Sequence, residues 1–341
     1  MNWKEGVRAV AAEIEHHTDR RRPGPRAGRP VIAPYRGFGR GNEMLLRGRI
    51  LIEKAVTRAR AAEPVWRNVL NSYRRFQSDE VPGVTVRATY RDAVVETVTD
   101  YEGHFQVRLQ PAVMNPESVW HEVGLSLPGR QAEAAVGHVI VPPPDAQFGV
   151  ISDIDDTIVL TGATSLREMV RSVLLQNAAT RVAFEGVAGL YQQLHADRNP
   201  IFYVSSSPWN LYELLTDYMH INQIPHGPMF LQDYGIDDDT WIHDPHDVHK
   251  IREIQAILDY YAPLPFLLIG DSGQHDPEIY LRVIQANPGR IRLAIIRDVT
   301  VATRDQGVAL IAEEARAAGV EMVYVSHSDE AGEHARRIGL I

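Results

Sequence analysis

The chain has 341 residues and a formal net charge of −9, with 44% apolar and 23% charged residues. This length allows two domains with separate cores. The fractions of apolar and charged residues are those of a soluble globular protein, and the negative net charge does not suit a nucleic-acid-binding protein. Because the chain has no cysteine, disulfides, thiolate zinc sites and a cysteine nucleophile are excluded.

The first thirty residues predict a short helix followed by a flexible arm. Apolar residues recur at helical spacing over residues 3–17, and residues 19–30 are rich in arginine, proline and glycine. The arm is interpreted as a solvated leader or as a segment that contacts anionic lipid. We expect a cytoplasmic protein, peripheral membrane contact being left open, because neither a signal peptide nor a membrane-spanning apolar run is evident.

From residue 31 the apolar runs shorten to strand length, with polar turns between them. A glycine-rich turn is predicted at residues 36–42 and a helix at residues 65–73. The pattern predicts an antiparallel β-sandwich, and residues 81–109 resemble a transthyretin-like domain. We expect a supporting or docking role for this part of the chain. The predicted strands are residues 31–33, 45–51, 84–90, 94–99, 104–109, 120–127 and 136–141.

After three consecutive prolines at 142–144, strands alternate with helices. This alternation predicts an α/β fold with a doubly wound parallel sheet, whose ligands bind beyond the carboxyl ends of the strands. The predicted domains are therefore an arm at 1–30, an accessory sandwich at 31–145 and an α/β domain at 146–341. Strands are predicted near 150, at 201–204, 229–231, 266–269, 291–296 and 322–325, and helices at 165–176, 186–196, 210–219, 250–261 and 307–318.

Two carboxylates follow the first buried strand of this second half. Asp153 and Asp155 are two residues apart, so they start on one side of the chain, and Thr157 follows. Two acids this close repel each other unless a cation lies between them or one keeps a proton. The stretch therefore predicts a metal-assisted site in which one carboxylate attacks and the other moves protons.

Further polar groups follow the other predicted strands. Taken singly, Ser206 and Ser207 are helix N-caps, Lys250 is a solvated lysine, and Asp271 and Asp276 are loop acids. In a parallel sheet, however, all of these groups meet at one edge. Carboxylates for a cation, hydroxyls for phosphate oxygens and a lysine for charge are the parts of a phosphoryl-transfer site.

The order of these motifs resembles the haloacid dehalogenase-like superfamily. Residues 148–298 resemble more narrowly the catalytic domain of the actin-patch-protein type of phosphatidate phosphatase. The segments that carry this resemblance are Asp-Ile-Asp-Asp-Thr at 153–157, Ser-Ser-Ser-Pro-Trp at 205–209, His-Lys at 249–250 and Gly-Asp-Ser-Gly-Gln-His-Asp-Pro-Glu-Ile-Tyr at 270–280.

The resemblance implies a catalytic role for four residues. Asp153 is expected to be the nucleophile that forms an aspartyl-phosphate, and Asp155 the acid that protonates the leaving oxygen and then activates water. Ser205 is expected to bind the phosphoryl group. Lys250 is expected to steady the nucleophile and the transferring charge.

The resemblance also implies a Mg²⁺ site. Its expected ligands are Asp153, the backbone carbonyl of Asp155, Asp271, and Asp276 either directly or through water. The expected function is thus Mg²⁺-dependent hydrolysis of a phosphomonoester.

The substrate is left open between a phosphatidate-like lipid and a soluble phosphomonoester. The short segment after Thr157 has no room for a large cap domain, which suits a bulky or membrane-held substrate but also a phosphoprotein. Thr161, Thr164 and the Leu174–Leu175 pair are candidates to contact an apolar substrate, with a core role as the alternative. A membrane or protein adaptor is the remaining alternative, nucleic acid is not an expected partner, and the oligomeric state is left open.

Two other features have competing interpretations. The histidines at 243, 246 and 249 have a spacing that suits zinc, but a polar loop leading to Lys250 is the simpler interpretation. Trp209 is interpreted either as a pocket wall or as a packing residue at the start of a helix.

Overall fold

The computed structural model describes residues 28–53, 81–115, 117–130, 132–158, 186–232, 246–273, 275–299 and 305–341. They form two compact units, one with the strands that precede Pro143 and one with the strands that follow Pro144. The helices predicted at 3–17, 65–73 and 165–176 lie outside the described residues, as do Thr161, Thr164, Leu174 and Leu175.

The first unit contains an eight-stranded mixed sheet. The strand order is β1-β3-β2-β8-β7-β4-β5, and β6 pairs with the long strand β3. Every pair is antiparallel except β2 and β8, so the expectation of a wholly antiparallel arrangement holds for all but that pair. The strands are β1 (Arg29–Pro34), β2 (Gly37–Arg40), β3 (Glu43–Glu53), β4 (Thr85–Tyr90), β5 (Ala93–Val98), β6 (His104–Leu109), β7 (Trp120–Ser126) and β8 (Ala135–Ile140).

Alternating burial explains why these short runs form strands around a core. In β4, Val86, Ala88 and Tyr90 are buried while the residues between them are exposed, and β6 repeats the pattern. This period of two matches the pleat of a strand with one face in a core. The buried cluster also includes Met44, Leu46 and residues of β7 and β8.

The glycine-rich turn predicted at 36–42 is wrong, because strand β2 occupies most of it. A Cβ atom on Gly37 would collide with the carbonyl oxygen of Leu45, and one on Gly39 with that of Glu43. These glycines therefore permit a close approach between β2 and β3 rather than a turn. The turn itself is tighter and centres on Gly41, which has a φ of 61°.

The second unit contains a six-stranded parallel sheet in the order β11-β10-β9-β12-β13-β14. The sequence order reverses between β9 and β12, and open α/β sheets bind ligands at such a reversal. The strands are β9 (Gly149–Ser152), β10 (Ile201–Pro208), β11 (Met229–Gln232), β12 (Phe266–Asp271), β13 (Ile291–Arg297) and β14 (Glu321–Val325).

Six helices accompany this sheet in the described part of the chain. Four were predicted within a few residues of their observed ends, and α4 and α6 were not predicted. No described helix is long and apolar enough to cross a membrane. The helices are α1 (Val187–His195), α2 (Tyr212–Ile221, after a short 3₁₀ turn at Trp209–Leu211), α3 (His246–Tyr260), α4 (Asp276–Ala286), α5 (Asp305–Ala317) and α6 (Ser328–Arg337).

Candidate active site

Asp153 lies at the point where the strand order reverses. It follows β9 directly, and its backbone N–H donates a hydrogen bond of 2.8 Å to the carbonyl of Ile269 in β12. The chain then turns at Asp156, whose φ of 58° lies in the left-handed region that aspartate tolerates better than most residues. The side chains of Asp153 and Asp155 are both buried at this edge of the sheet.

Lys250 comes from the first turns of α3 and is buried beside Asp153. Its Nζ lies 2.8 Å from Oδ1 of Asp153 and 2.6 Å from Oδ1 of Asp276. Burial alone disfavours the ammonium charge, but the two carboxylates outweigh burial and raise the pKa of Lys250. The alternative of a solvated lysine is therefore wrong, and Lys250 stays charged between two acids.

Asp153, Asp271 and Asp276 each offer a carboxylate oxygen, and these oxygens lie within 4.8 Å of one another. Asp271 is the last residue of β12, and Asp276 is the first residue of α4. Oδ2 of Asp276 accepts a hydrogen bond of 3.2 Å from the N–H of Asp271, and Oδ1 of Asp271 accepts one of 2.6 Å from the N–H of Gly273. The interpretation of the two aspartates as ordinary loop acids is wrong.

The charge balance of this cluster favours a cation. Burial is the main cause that raises the pKa of Asp153, Lys250 opposes it, and the neighbouring carboxylates add to it. Among the described residues, Lys250 is buried in contact with two of these carboxylates, and Arg297, the last residue of β13, is also buried. The carboxylates of Asp153, Asp271 and Asp276 gather three acids beside the Lys250 ammonium, and oxygen-rich sites of this kind suit hard divalent cations. The acidic cluster can therefore hold a metal ion.

Asp155 is held by two serines of β10. Oγ of Ser205 donates to Oδ2 of Asp155 at 2.7 Å, and Oγ of Ser207 donates to the same oxygen at 3.0 Å. Burial raises the pKa of Asp155, while the two serine hydrogen bonds and Lys250 oppose that rise. Ser205 thus contacts the expected acid–base residue in this structure, and its expected role of binding phosphate stays a prediction.

Strand β10 was predicted to end at Val204, but it continues to Pro208. Its pairing with β11 shifts between Val204 and Pro208, and such irregularities re-aim side chains at the ends of strands. Ser205 and Ser207 are two residues apart, so they face the same way and both reach Asp155. The N-cap interpretation of Ser207 is wrong, since Pro208 is the N-cap residue of the 3₁₀ turn.

The remaining candidate residues are Thr157, Trp209 and the histidines of the zinc alternative. Oγ1 of Thr157 donates to Oδ2 of Asp153 at 3.4 Å, so the threonine belongs to the site. Trp209 stacks on Tyr212 with ring centroids 6.0 Å apart, which agrees with its interpretation as a packing residue at the start of a helix. His243 of the zinc alternative lies outside the described residues, and the described acidic cluster contains no histidine.

Residues 148–298 match the family described as the catalytic domain of phosphatidate phosphatase APP1. The resemblance predicted from the motifs is confirmed. The APP1 phosphatidate phosphatase of Saccharomyces cerevisiae is 40% identical over 153 residues, which are 44% of this chain and 26% of the yeast protein. A Schizosaccharomyces pombe protein described as uncharacterised is 27% identical over 154 residues, 45% of this chain and 25% of that protein. The chain thus spans about a quarter of the length of these two relatives.

Two solved structures show weaker likenesses to the chain. A carbohydrate acetylesterase from Xanthomonas citri has a TM-score of 0.33 and 12% identity, covering 89% of this chain and 72% of that one. The PilB minor pilin of Streptococcus sanguinis has a TM-score of 0.29 and 8% identity, covering 76% of this chain and 88% of that one. Neither score indicates a shared fold.

Proposed function

We propose that the chain is a Mg²⁺-dependent phosphatase that hydrolyses a phosphomonoester through an aspartyl-phosphate on Asp153. One observation carries the proposal: Asp153 is buried 2.8 Å from Lys250, in a cluster with Asp271 and Asp276 whose carboxylate oxygens lie within 4.8 Å of one another. A nucleophilic carboxylate, a fixed cation and a cation-binding pair are the parts that phosphoryl transfer needs.

The residues of the chain divide the chemistry into two steps. In the first, a carboxylate oxygen of Asp153 attacks phosphorus, and the carboxyl group of Asp155 protonates the leaving oxygen. In the second, Asp155 takes a proton from water, which attacks phosphorus and releases Asp153. Burial raises the pKa of Asp155, which is the direction that a general acid needs. Uncatalysed hydrolysis of such esters is so slow that rate enhancements reach about 10²¹.

The proposed ligands of the cation are Asp153, Asp271 and Asp276, together with the backbone carbonyl of Asp155. A bound Mg²⁺ would supply charge stabilisation for the phosphoryl oxygens. The donor set supports this assignment because it consists of oxygens alone, which suit Mg²⁺ better than softer metals. Lys250 keeps its charge beside Asp153 and offsets the repulsion between the nucleophile and an anionic substrate.

The proposed substrate is a phosphatidate-like lipid. The support is the similarity to the yeast phosphatidate phosphatase, together with the short segment after Thr157 that leaves no room for a large cap. We also propose a cytoplasmic protein with peripheral contact to anionic membrane, since its substrate would lie in a bilayer.

The proposed architecture is a haloacid dehalogenase-like doubly wound domain at 146–341, preceded by an arm at 1–30 and a sandwich at 31–145. The all-parallel sheet with its reversal between β9 and β12 supports the first assignment. The separate buried core of strands β1–β8 supports the second. The sandwich is proposed as an accessory domain.

Phosphate release by Asp153→Asn tests this function. With Mg²⁺ present, wild-type protein is expected to release phosphate from phosphatidate in mixed micelles, and the variant to lose at least about 100-fold in kcat because an amide is not a nucleophile. Wild-type activity in the variant would exclude Asp153 as the nucleophile. Turnover of soluble phosphomonoesters equal to that of phosphatidate would remove the lipid assignment but keep the phosphatase, and turnover of neither substrate would favour the adaptor.

A further inference from the structure

A chain of buried hydroxyl groups ends at the backbone carbonyl of Asp153. Oγ of Ser152 donates a hydrogen bond of 2.6 Å to that carbonyl and lies 2.6 Å from the hydroxyl of Tyr191. Ser152 is the last residue of β9, and Tyr191 lies in the middle of α1. Both side chains are almost completely buried.

The direction of this chain follows from counting protons. A serine hydroxyl carries a single hydrogen, and a carbonyl oxygen can only accept. Because Ser152 donates to the carbonyl of Asp153, Tyr191 must donate to Ser152. Burial raises the pKa of Tyr191, against opposing effects of Ser152 and Arg297, so its hydroxyl keeps its proton at any ordinary pH.

The other backbone group of Asp153 is also held. Its N–H donates to the carbonyl of Ile269, and that carbonyl also accepts a hydrogen bond of 2.7 Å from the hydroxyl of Tyr280. The main chain of Asp153 is therefore fixed on both sides. The point from which its side chain starts is thus fixed, and Lys250 and Thr157 contact the two carboxylate oxygens.

We propose that Tyr191, acting through the hydroxyl of Ser152, is a positioning residue that orients Asp153 for attack. The inference rests on the proposed phosphatase function. Tyr191 contacts neither substrate nor metal in this role. It transmits the position of α1 to the peptide group of the nucleophile, and outer partners of this kind typically affect activity by about 10–100-fold.

Three variants of this chain test the proposal. Tyr191→Phe removes the terminal hydroxyl, Ser152→Ala removes the connecting one, and the third variant combines both. With Mg²⁺ and phosphatidate, each single variant is expected to lose about 10-fold in kcat with little change in KM. Because Tyr191 acts through Ser152, the double variant should be no slower than Ser152→Ala, whereas independent effects would multiply.

Tyr203→Phe is the matched control. Tyr203 is equally buried, and its hydroxyl donates to the carbonyl of Pro225 at 2.5 Å, so the change is chemically the same but does not touch Asp153. Its kcat is expected to equal that of the wild type. Thermal unfolding without metal confirms that all variants are folded.

Two results would overturn the positioning role. One is an unchanged kcat in folded Tyr191→Phe, and the other is a double variant whose loss is the product of the two single losses. If Tyr191→Phe does not fold, Ser152→Ala carries the test alone, and an unchanged kcat in it overturns the role. The proposed function fails separately, through an active Asp153→Asn variant.

Discussion

Ser207 shows how a single hydroxyl can adjust the proposed acid. Together with Ser205 it donates to Oδ2 of Asp155, and both bonds oppose the effect of burial on the pKa of that carboxyl group. Each bond also restricts the rotation of the side chain. A carboxyl group that must give a proton and then take one back depends on both effects.

Replacing Ser207 should therefore slow the enzyme without unfolding it. We expect Ser207→Ala to lower kcat for phosphatidate by about 10-fold, since a group that supports a catalytic residue is lost. Ser207→Thr keeps the hydroxyl and should retain most of the activity. Steady-state kinetics of both variants checks this, and equal losses in the two would mean that the packing at this position matters rather than the hydrogen bond.

At the scale of secondary-structure elements, Gly270 decides how closely β12 and α4 approach. A Cβ atom at this position would lie 2.8 Å from both Cβ of Asp276 and the hydroxyl oxygen of Tyr280. Real Cβ atoms do not come so close to other heavy atoms, so an added methyl group must push the start of α4 away. Asp276 would move with it.

We expect Gly270→Ala to reduce the free energy of unfolding by about 1–3 kcal/mol, as overpacked positions do, and to weaken stabilisation by Mg²⁺. Gly189→Ala is the control, because Gly189 lies within α1 and an added Cβ meets nothing within 4 Å. That change should stabilise the helix by about 0.5–1 kcal/mol. Denaturant unfolding with and without Mg²⁺ compares the two, and a Gly270→Ala variant as stable as the control would contradict the steric argument.

Helix α4 is not predicted, although its first residues carry signals of a helix start. The helix begins with Asp276, Pro277 and Glu278, and a proline and acids in the first turn are recognised signals of a helix start. Taken singly, Asp276 is interpreted as a loop acid, and that interpretation does not use these signals. Apolar strand runs, by contrast, located β9, β12 and β13 to within a few residues, because buried parallel strands have few other possible structures.

The predicted end of β10 is wrong for a different reason. Whether a strand ends at Val204 or continues to Pro208 depends on pairing with β11, which is a tertiary contact that no local pattern contains. With the strand extended, the spacing of two residues alone would have grouped Ser207 with Ser205. The identity of the acidic residues was predictable from motif order, but the hydrogen bonds among Asp271, Gly273 and Asp276 required coordinates.

At the scale of the whole molecule, we expect the acidic cluster to make the stability of the fold depend on a bound metal ion. Asp153, Asp271 and Asp276 repel one another in the absence of a cation, and burial removes the solvent that would weaken this repulsion. A ligand that binds only the folded state stabilises it by about 2.7 kcal/mol at a concentration 100 times its Kd. Mg²⁺ should therefore raise the unfolding temperature, and chelation should lower it.

The Asp271→Asn variant distinguishes the repulsion among the buried carboxylates from their binding of a metal ion. The amide keeps an oxygen that can accept the 2.6 Å hydrogen bond from the N–H of Gly273, but it removes one negative charge. In the presence of EDTA we expect the variant to be at least as stable as the wild type, because a buried repulsive charge is gone. With Mg²⁺ the wild type should gain stability and the variant should gain little, because a ligand is lost. Calorimetry at matched Mg²⁺ concentrations measures both effects.

Asp298→Asn is the control for this comparison, since Asp298 follows β13 nearby but is not a member of the acidic cluster. It should respond to Mg²⁺ as the wild type does. An Asp271→Asn variant that is less stable than the wild type in EDTA would show that the carboxylate stabilises the metal-free fold. Repulsion would then be relieved within the protein, by Lys250 for example, and the charge argument for a cation at this edge of the sheet would fail.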